Sequence, residues 1–122
     1  RAMSICEPPW NISVPAQITG VAALADEGYV ARTRQIVRQE RGYLIQAISG
    51  LGAAVFGSKA NYIFFKLNAC RDLERRLAER GILIRPCGNY RGLDDRFYRV
   101  AVKMHNENEK LIATMRAVLE GM

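Results

Sequence analysis

Between Val30 and Leu67 the apolar residues change their period, and no fold built from one kind of element tolerates that change. Val30, Thr33, Val37, Leu44, Ile48 and Leu51 recur at spacings near three, four and seven, which puts them on one face of an amphipathic helix over 29–50. Gly50, Gly52 and Gly57 stop it. Residues 60–67 (ANYIFFKL) then concentrate aromatic and branched side chains as a strand does.

The alternation continues to the C-terminus. Leu73 and Leu77 mark one face of a short helix whose other positions are mostly charged, with Gly81 as its stop. Residues 82–85 read as a second strand and 96–103 as a third, and 86–95, with a proline, two glycines, an asparagine and two aspartates, has turn composition. Asn106 and Glu109 form a capping-box-like pair, and Leu111, Ile112, Met115, Val118 and Leu119 give the last helix a buried stripe. At the other end, 1–14 is a proline-rich leading loop, and Pro15, with Ser13 as its cap, opens a short apolar helix to residue 25. The expected fold is a single α+β domain over 1–122, with a small antiparallel or mixed three-stranded sheet packed against helices.

An apolar content of 49% over 122 residues is enough for a core. The uncharged apolar stretch 43–58 is broken by Gln46, Ser49 and three glycines and falls short of the roughly 20 residues needed to cross a bilayer. No membrane partner is expected. Cys6, Cys70 and Cys87 are odd in number and widely spaced, which signals neither a disulfide framework nor a zinc site and fits a reducing cytoplasm. Lys and Arg exceed Asp and Glu by 18 to 12, a net charge of +6, and fourteen of the cations are arginine. The planar guanidinium grips a carboxylate or phosphate by two hydrogen bonds, so oxyanion recognition is the chemistry to look for.

Several candidate motifs reduce to ordinary structure. Residues 52–59 (GAAVFGSK) suggest a phosphate loop, but the order is Gly-Ser-Lys, and a helix precedes where a strand is needed. His105 is the only histidine, at a surface helix start, with no second ligand for a metal and no nucleophile to serve. Arg34, Arg38 and Arg41 share a helix face without interleaved aromatics, a solvated face rather than a nucleic-acid track. The informative stretch is 82–102, where Arg85 and Arg99 flank the turn-rich loop. By residue type alone either also reads as a surface charge, although an arginine inside Y-R-V-A-V is unusual without a partner.

Residues 58–65 (SKANYIFF) and 71–102, with the loop N-Y-x-G-L-D between the two arginines, resemble the C-terminal small domain of the fold-type I pyridoxal phosphate-dependent aminotransferases. Within that family the likeness is to the members that decarboxylate or transaminate phosphorylated amino acids. Residues 8–17 (PPWNISVPAQ) resemble the linker and helix leading into the domain, so the resemblance covers nearly the whole chain. It implies that Arg99 pairs with the substrate's α-carboxylate, that Arg85 helps bind its phosphate, and that Asn89 and Tyr90 belong to the same substrate site.

It also implies pyridoxal phosphate in a full-length parent. None is expected on this chain alone, because Lys59, Lys66, Lys103 and Lys110 are its only lysines and none falls in a family motif for the cofactor lysine. The large domain that carries that lysine is missing, so the chain is expected to be inactive by itself and a piece of a parent decarboxylase or aminotransferase. The expected partners are a phosphorylated amino acid, the large domain and, through Ile18, Val21, Ala22 and Leu24 of the first helix, a second copy. The alternative from another class, a small basic binding module without catalysis, rests on the net charge and the basic helix face.

Overall fold

The computed structural model describes residues 12–122; Cys6 and most of the leading loop lie outside the described residues. The chain divides into two compact units, one up to Arg34 and one from Gln35 to Met122. In the first, α1 (Val14–Leu24) starts with Ser13 at its N-cap and a proline in its first turn. Ser13 occupies the expected cap position, but its side chain makes no capping hydrogen bond. Ile18, Val21 and Leu24 are exposed. Asp26 accepts a hydrogen bond from the Tyr29 N–H at 2.8 Å and so opens α2 (Glu27–Gly50), whose later turns belong to the second unit.

The second unit carries a four-stranded antiparallel sheet, one strand more than the sequence suggests. Its strands are β1 (Ala54–Val55), β2 (Tyr62–Lys66), β3 (Arg85–Pro86) and β4 (Phe97–Ala101), in the order β1-β2-β4-β3. The added strand, β1, lies in the stretch read as a plain helix-to-strand connection, where Ala54 pairs with Lys66 and Val55 with Phe65. Two residues carry too little pattern to announce a strand; pairing with β2 makes it one.

The expected second strand at 82–85 shrinks to Arg85–Pro86. Gly81, at φ +75°, closes α3 (Leu73–Ala78) and sends the Ile82 N–H back to the Leu77 carbonyl at 2.9 Å, which holds the start of this segment on the helix instead of the sheet. α4 (His105–Glu120) also departs from expectation: its N-cap is Met104, without a side-chain cap, and Asn106 lies inside the first turn. The role of tying down this end falls to Asn108. Its amide accepts from the Lys103 N–H at 3.1 Å and donates to the Lys103 carbonyl at 2.9 Å.

Strand alternation separates the two sheet faces. Ile63 and Phe65 of β2 and Tyr98 and Val100 of β4 point into the core, where they meet Leu44 and Ile48 of α2, Leu73 and Leu77 of α3, and Leu111, Ile112, Met115 and Val118 of α4. The opposite face carries Tyr62, Phe64 and Lys66 from β2 and Phe97 and Arg99 from β4, all outside the core. Phe56, Phe64 and Phe97 pack together there, with ring centroids 5.4–5.9 Å apart. Cys70 and Cys87 are buried free thiols. Among the described residues no helix is long and apolar enough to cross a membrane, and no cluster of three or more His, Cys, Asp or Glu is placed to hold a metal.

Candidate functional site

Antiparallel pairing of β3 with β4 aligns Arg85 with Arg99 and Pro86 with Tyr98. Residues directly opposite across such a pair share a sheet face, so the two guanidinium groups rise side by side from the face that the helices leave uncovered. Like charges in this position repel, and an arrangement of that kind is stabilised by an anion between or above them.

Neither arginine is neutralised by an acidic side chain among the described residues. The two aspartates of the intervening loop are already engaged: Asp94 holds the Arg96 guanidinium, and Asp95 lies 3.5 Å from Arg71. The Arg96 guanidinium holds the Asp94 carboxyl far below the usual carboxylate range. Among the described residues no ion pair reaches Arg85 or Arg99. An arginine inside a mostly apolar strand therefore stays available for a ligand.

The loop that separates the arginines is folded by its own backbone. The Cys87 N–H donates to the Phe97 carbonyl at 2.8 Å, Tyr90 N–H to Cys87 at 3.2 Å, and Leu93 N–H to Tyr90 at 3.1 Å. Gly92 supplies the left-handed residue of the turn at φ +84°. Gly88 runs so close to the far side of the loop that a Cβ there would meet the Asp94 carbonyl oxygen at 3.1 Å.

These contacts distribute the four expected site residues unevenly. Arg85 and Arg99 line one recess together with Asn61 and Tyr62, with a volume of about 390 Å³. Tyr90 joins Arg99 in an adjoining recess floored by Phe64 and Cys87, while Asn89 joins Arg85 beside Arg71 and Glu74. The arginine pair is thus the shared centre, with Tyr90 on one flank and Asn89 on the other. No single recess among the described residues collects all four.

Tyr62 was absent from the expected site. The Arg99 guanidinium carbon lies 4.7 Å from the centroid of its ring. The period-two pattern of Y-I-F-F-K places Tyr62, Phe64 and Lys66 on one face, but which arginine that face meets depends on the pairing of β2 with β4, set by residues about 35 positions apart.

No lysine lines the recess shared by the two arginines, although Lys66 stands on the same sheet face as Arg99. Lys66 lies 5.2 Å from the Phe97 ring centroid, Lys103 pairs with Glu107 at 2.8 Å, and Lys59 and Lys110 are exposed. None lines a recess that contains Arg85 or Arg99.

Comparison with known proteins adds a family context to this geometry. The family model described as aminotransferase class I and II matches residues 1–115. Threonine-phosphate decarboxylase of Salmonella typhimurium is 39% identical over 116 residues, covering 93% of this chain and 32% of its own length. Histidinol-phosphate aminotransferase of Methanosphaera stadtmanae is 28% identical over 124 residues, covering 98% and 34%. In three dimensions the chain is similar to the crystal structure of histidinol-phosphate aminotransferase from Clostridium acetobutylicum, with a TM-score of 0.84 at 29% identity over 95% of this chain and 36% of that one. The chain spans about a third of the length of the curated relatives it matches.

Proposed function

Since this chain belongs to the aminotransferase class I and II family, we propose that it is the substrate-binding portion of a pyridoxal phosphate-dependent enzyme acting on a phosphorylated amino acid. Arg99 takes the α-carboxylate and Arg85 the phosphate. The observation that carries this reading is the direct opposition of the two arginines across β3 and β4, on the open face of the sheet and without acidic partners among the described residues.

Two bidentate forks in neighbouring positions suit a molecule with two anionic groups on a short skeleton. O-phosphothreonine carries a carboxylate and a phosphate only a few bonds apart, whereas histidinol phosphate bears its phosphate ester on the carbon that replaces the carboxylate and so has a single anionic group. The geometry therefore favours the decarboxylase reading, of the kind that acts on O-phosphothreonine in cobalamin biosynthesis. Tyr90, beside Arg99, and Asn89, beside Arg85, add a hydroxyl and an amide to the respective anions. Holding both ends of the substrate fixes the torsion about its α-carbon, which decides the bond to be broken; the cofactor, when bound, supplies the electron sink. The likeness to histidinol-phosphate aminotransferase over 95% of the chain favours a second reading, transamination of a phosphorylated substrate.

The residues present do not make a pyridoxal phosphate site. No lysine lines the recesses of the arginine pair to carry the cofactor. On this reading the cofactor belongs to the two thirds of the relatives' length that the chain does not span, and that part is its principal partner. Exposed Ile18, Val21 and Leu24 of α1 make self-association a further proposal, which sedimentation over a wide concentration range tests.

Titration of the chain with O-phospho-L-threonine, L-threonine and L-histidinol phosphate, followed by NMR, tests the site. O-phospho-L-threonine should bind tightest. Arg85→Lys should weaken it while leaving L-threonine unchanged, and Arg99→Lys should weaken both. Equal binding of L-threonine and its phosphate ester would remove the phosphate role of Arg85. Tighter binding of histidinol phosphate would favour the second reading.

A further inference from the structure

Arg99 stands between two unlike neighbours. On the β3 side is Arg85, its direct cross-strand partner. On the β2 side Phe64 is directly opposite, and Tyr62 lies on the diagonal two residues away, with the guanidinium carbon 4.7 Å from its ring centroid. One neighbour repels the charge and the other attracts it, because the face of an aromatic ring is the negative end of its quadrupole.

The way the attraction is made matters for recognition. A ring within this distance attracts the guanidinium as a delocalised cation without being a carboxylate or carbonyl acceptor for its N–H donors. The donors therefore remain available for a carboxylate. A hydrogen-bonding or acidic partner in place of Tyr62 would occupy part of the fork. The Tyr62 hydroxyl has no hydrogen-bond partner among the described residues, whereas its backbone carbonyl accepts from Ser58. The ring alone is in use.

We propose that Tyr62 is the positioning residue of the anion site: its ring holds the Arg99 guanidinium beside Arg85, against their mutual repulsion, with the donors of the fork left free. The inference rests on the reading of Arg85 and Arg99 as a substrate-anion site and adds a residue that the resemblance did not supply. Tyr62 is 40% exposed, outside the core, so replacing it leaves the packing of the sheet on its helices intact.

The test uses the chain as it is, with O-phospho-L-threonine as the probe and two NMR readouts. In the ligand-free chain, the Arg99 side-chain protons should show the upfield shift of groups above an aromatic ring. Tyr62→Phe should keep that shift and Tyr62→Leu should abolish it. In titrations, Tyr62→Phe should bind the probe within about twofold of the unsubstituted chain, and Tyr62→Leu about two- to fivefold more weakly, the size of an exposed cation–π contact.

The proposal is overturned if the unsubstituted chain lacks the ring shift, if Tyr62→Leu binds as well as the parent, or if Tyr62→Phe is as weak as Tyr62→Leu, which would assign the effect to the hydroxyl. A ring shift in a chain whose weak binding is unaffected by Arg99→Gln would instead sink the anion-site reading, and the positioning role with it.

Discussion

Glu40 on α2 and His105 at the start of α4 meet 65 positions apart in sequence, with both carboxylate oxygens 3.1 Å from the His105 Nδ1. Buried Asn108 donates to the same carboxylate at 2.9 Å, the Tyr43 ring lies 4.9 Å from the imidazole, and Glu109 approaches its other nitrogen at 3.4 Å. The cluster fastens α2 to the end of α4 where the chain leaves the sheet.

Its pH dependence follows from two opposite shifts. The hydrogen bond to Glu40 raises the His105 pKa above its ordinary 6.5, so its contribution to stability is complete below pH 6.5 and is lost as the pH rises through the folded-state value. The hydrogen bond from Asn108, followed by that from His105, lowers the Glu40 pKa below 4.5, so its contribution is present above pH 4.5 and is lost as the pH falls through the folded-state value. The urea midpoint should therefore be highest between about pH 4.5 and 6.5. In His105→Gln the decline on the alkaline side should flatten. Parallel profiles for both proteins from pH 5.5 to 8.5 would show that the pair does not titrate as a unit.

Tyr98→Phe should destabilise the fold although it removes a single atom. The fully buried hydroxyl lies 2.7 Å from the Asp95 carbonyl and 3.1 Å from that of Cys70, and accepts from the Leu73 N–H at 3.3 Å. Burial pushes this phenol well above the usual range, so it stays a donor at any working pH. Without it, buried backbone groups lose their partner at a cost of about 1–3 kcal/mol in urea unfolding. A change below about 0.5 kcal/mol would mean that water replaces the oxygen.

In a complete, active enzyme of this family that contains this sequence, Arg99→Lys should lower kcat/KM far more than conservation of charge suggests. Lysine keeps the charge and loses the planar fork, and losing a charge-assisted hydrogen bond costs about 1.5–3 kcal/mol, roughly tenfold to more than a hundredfold in efficiency. Near-normal efficiency on a substrate with a free carboxylate would dismiss the carboxylate role of Arg99.

Two glycine replacements should act in opposite directions. Gly88→Ala drives a methyl group against the Asp94 carbonyl at 3.1–3.2 Å and the Asp95 nitrogen at 3.3 Å, so the loop must open. That should cost about 1–3 kcal/mol and weaken O-phospho-L-threonine binding through displacement of Asn89. Gly42→Ala, in the middle of α2 with open space around it, should stabilise the fold by up to about 1 kcal/mol. Thermal unfolding of both variants checks the contrast, and stabilisation by Gly88→Ala would refute the tight loop crossing.

Much of the fold is legible locally because burial imposes a period on the sequence. The spacing of Leu44 and Ile48 anticipates the buried face of α2, and that of Leu111, Met115 and Val118 the buried stripe of α4. Gly81 marks the end of α3 through the backbone conformation it permits. The same logic fails at Asn106: a capping pattern is a local preference, and here the Lys103–Asn108 hydrogen bonds and the packing of α4 start the helix two residues earlier.

Local patterning establishes the order and kind of the main elements, the apolar positions that fill the core, and the two arginines flanking a turn-rich loop. All of these depend on residues within a few positions of one another. Long-range packing is what joins β1 to the sheet, sets Arg85 opposite Arg99, lays Tyr62 against Arg99 and brings Glu40 to His105. Each of these depends on strand register or helix packing between distant segments. A one-residue slip would turn every side chain of a strand to its other face, so the positions of Arg99 and Tyr62 are fixed by the burial of Ile63, Phe65, Tyr98 and Val100 on the opposite side.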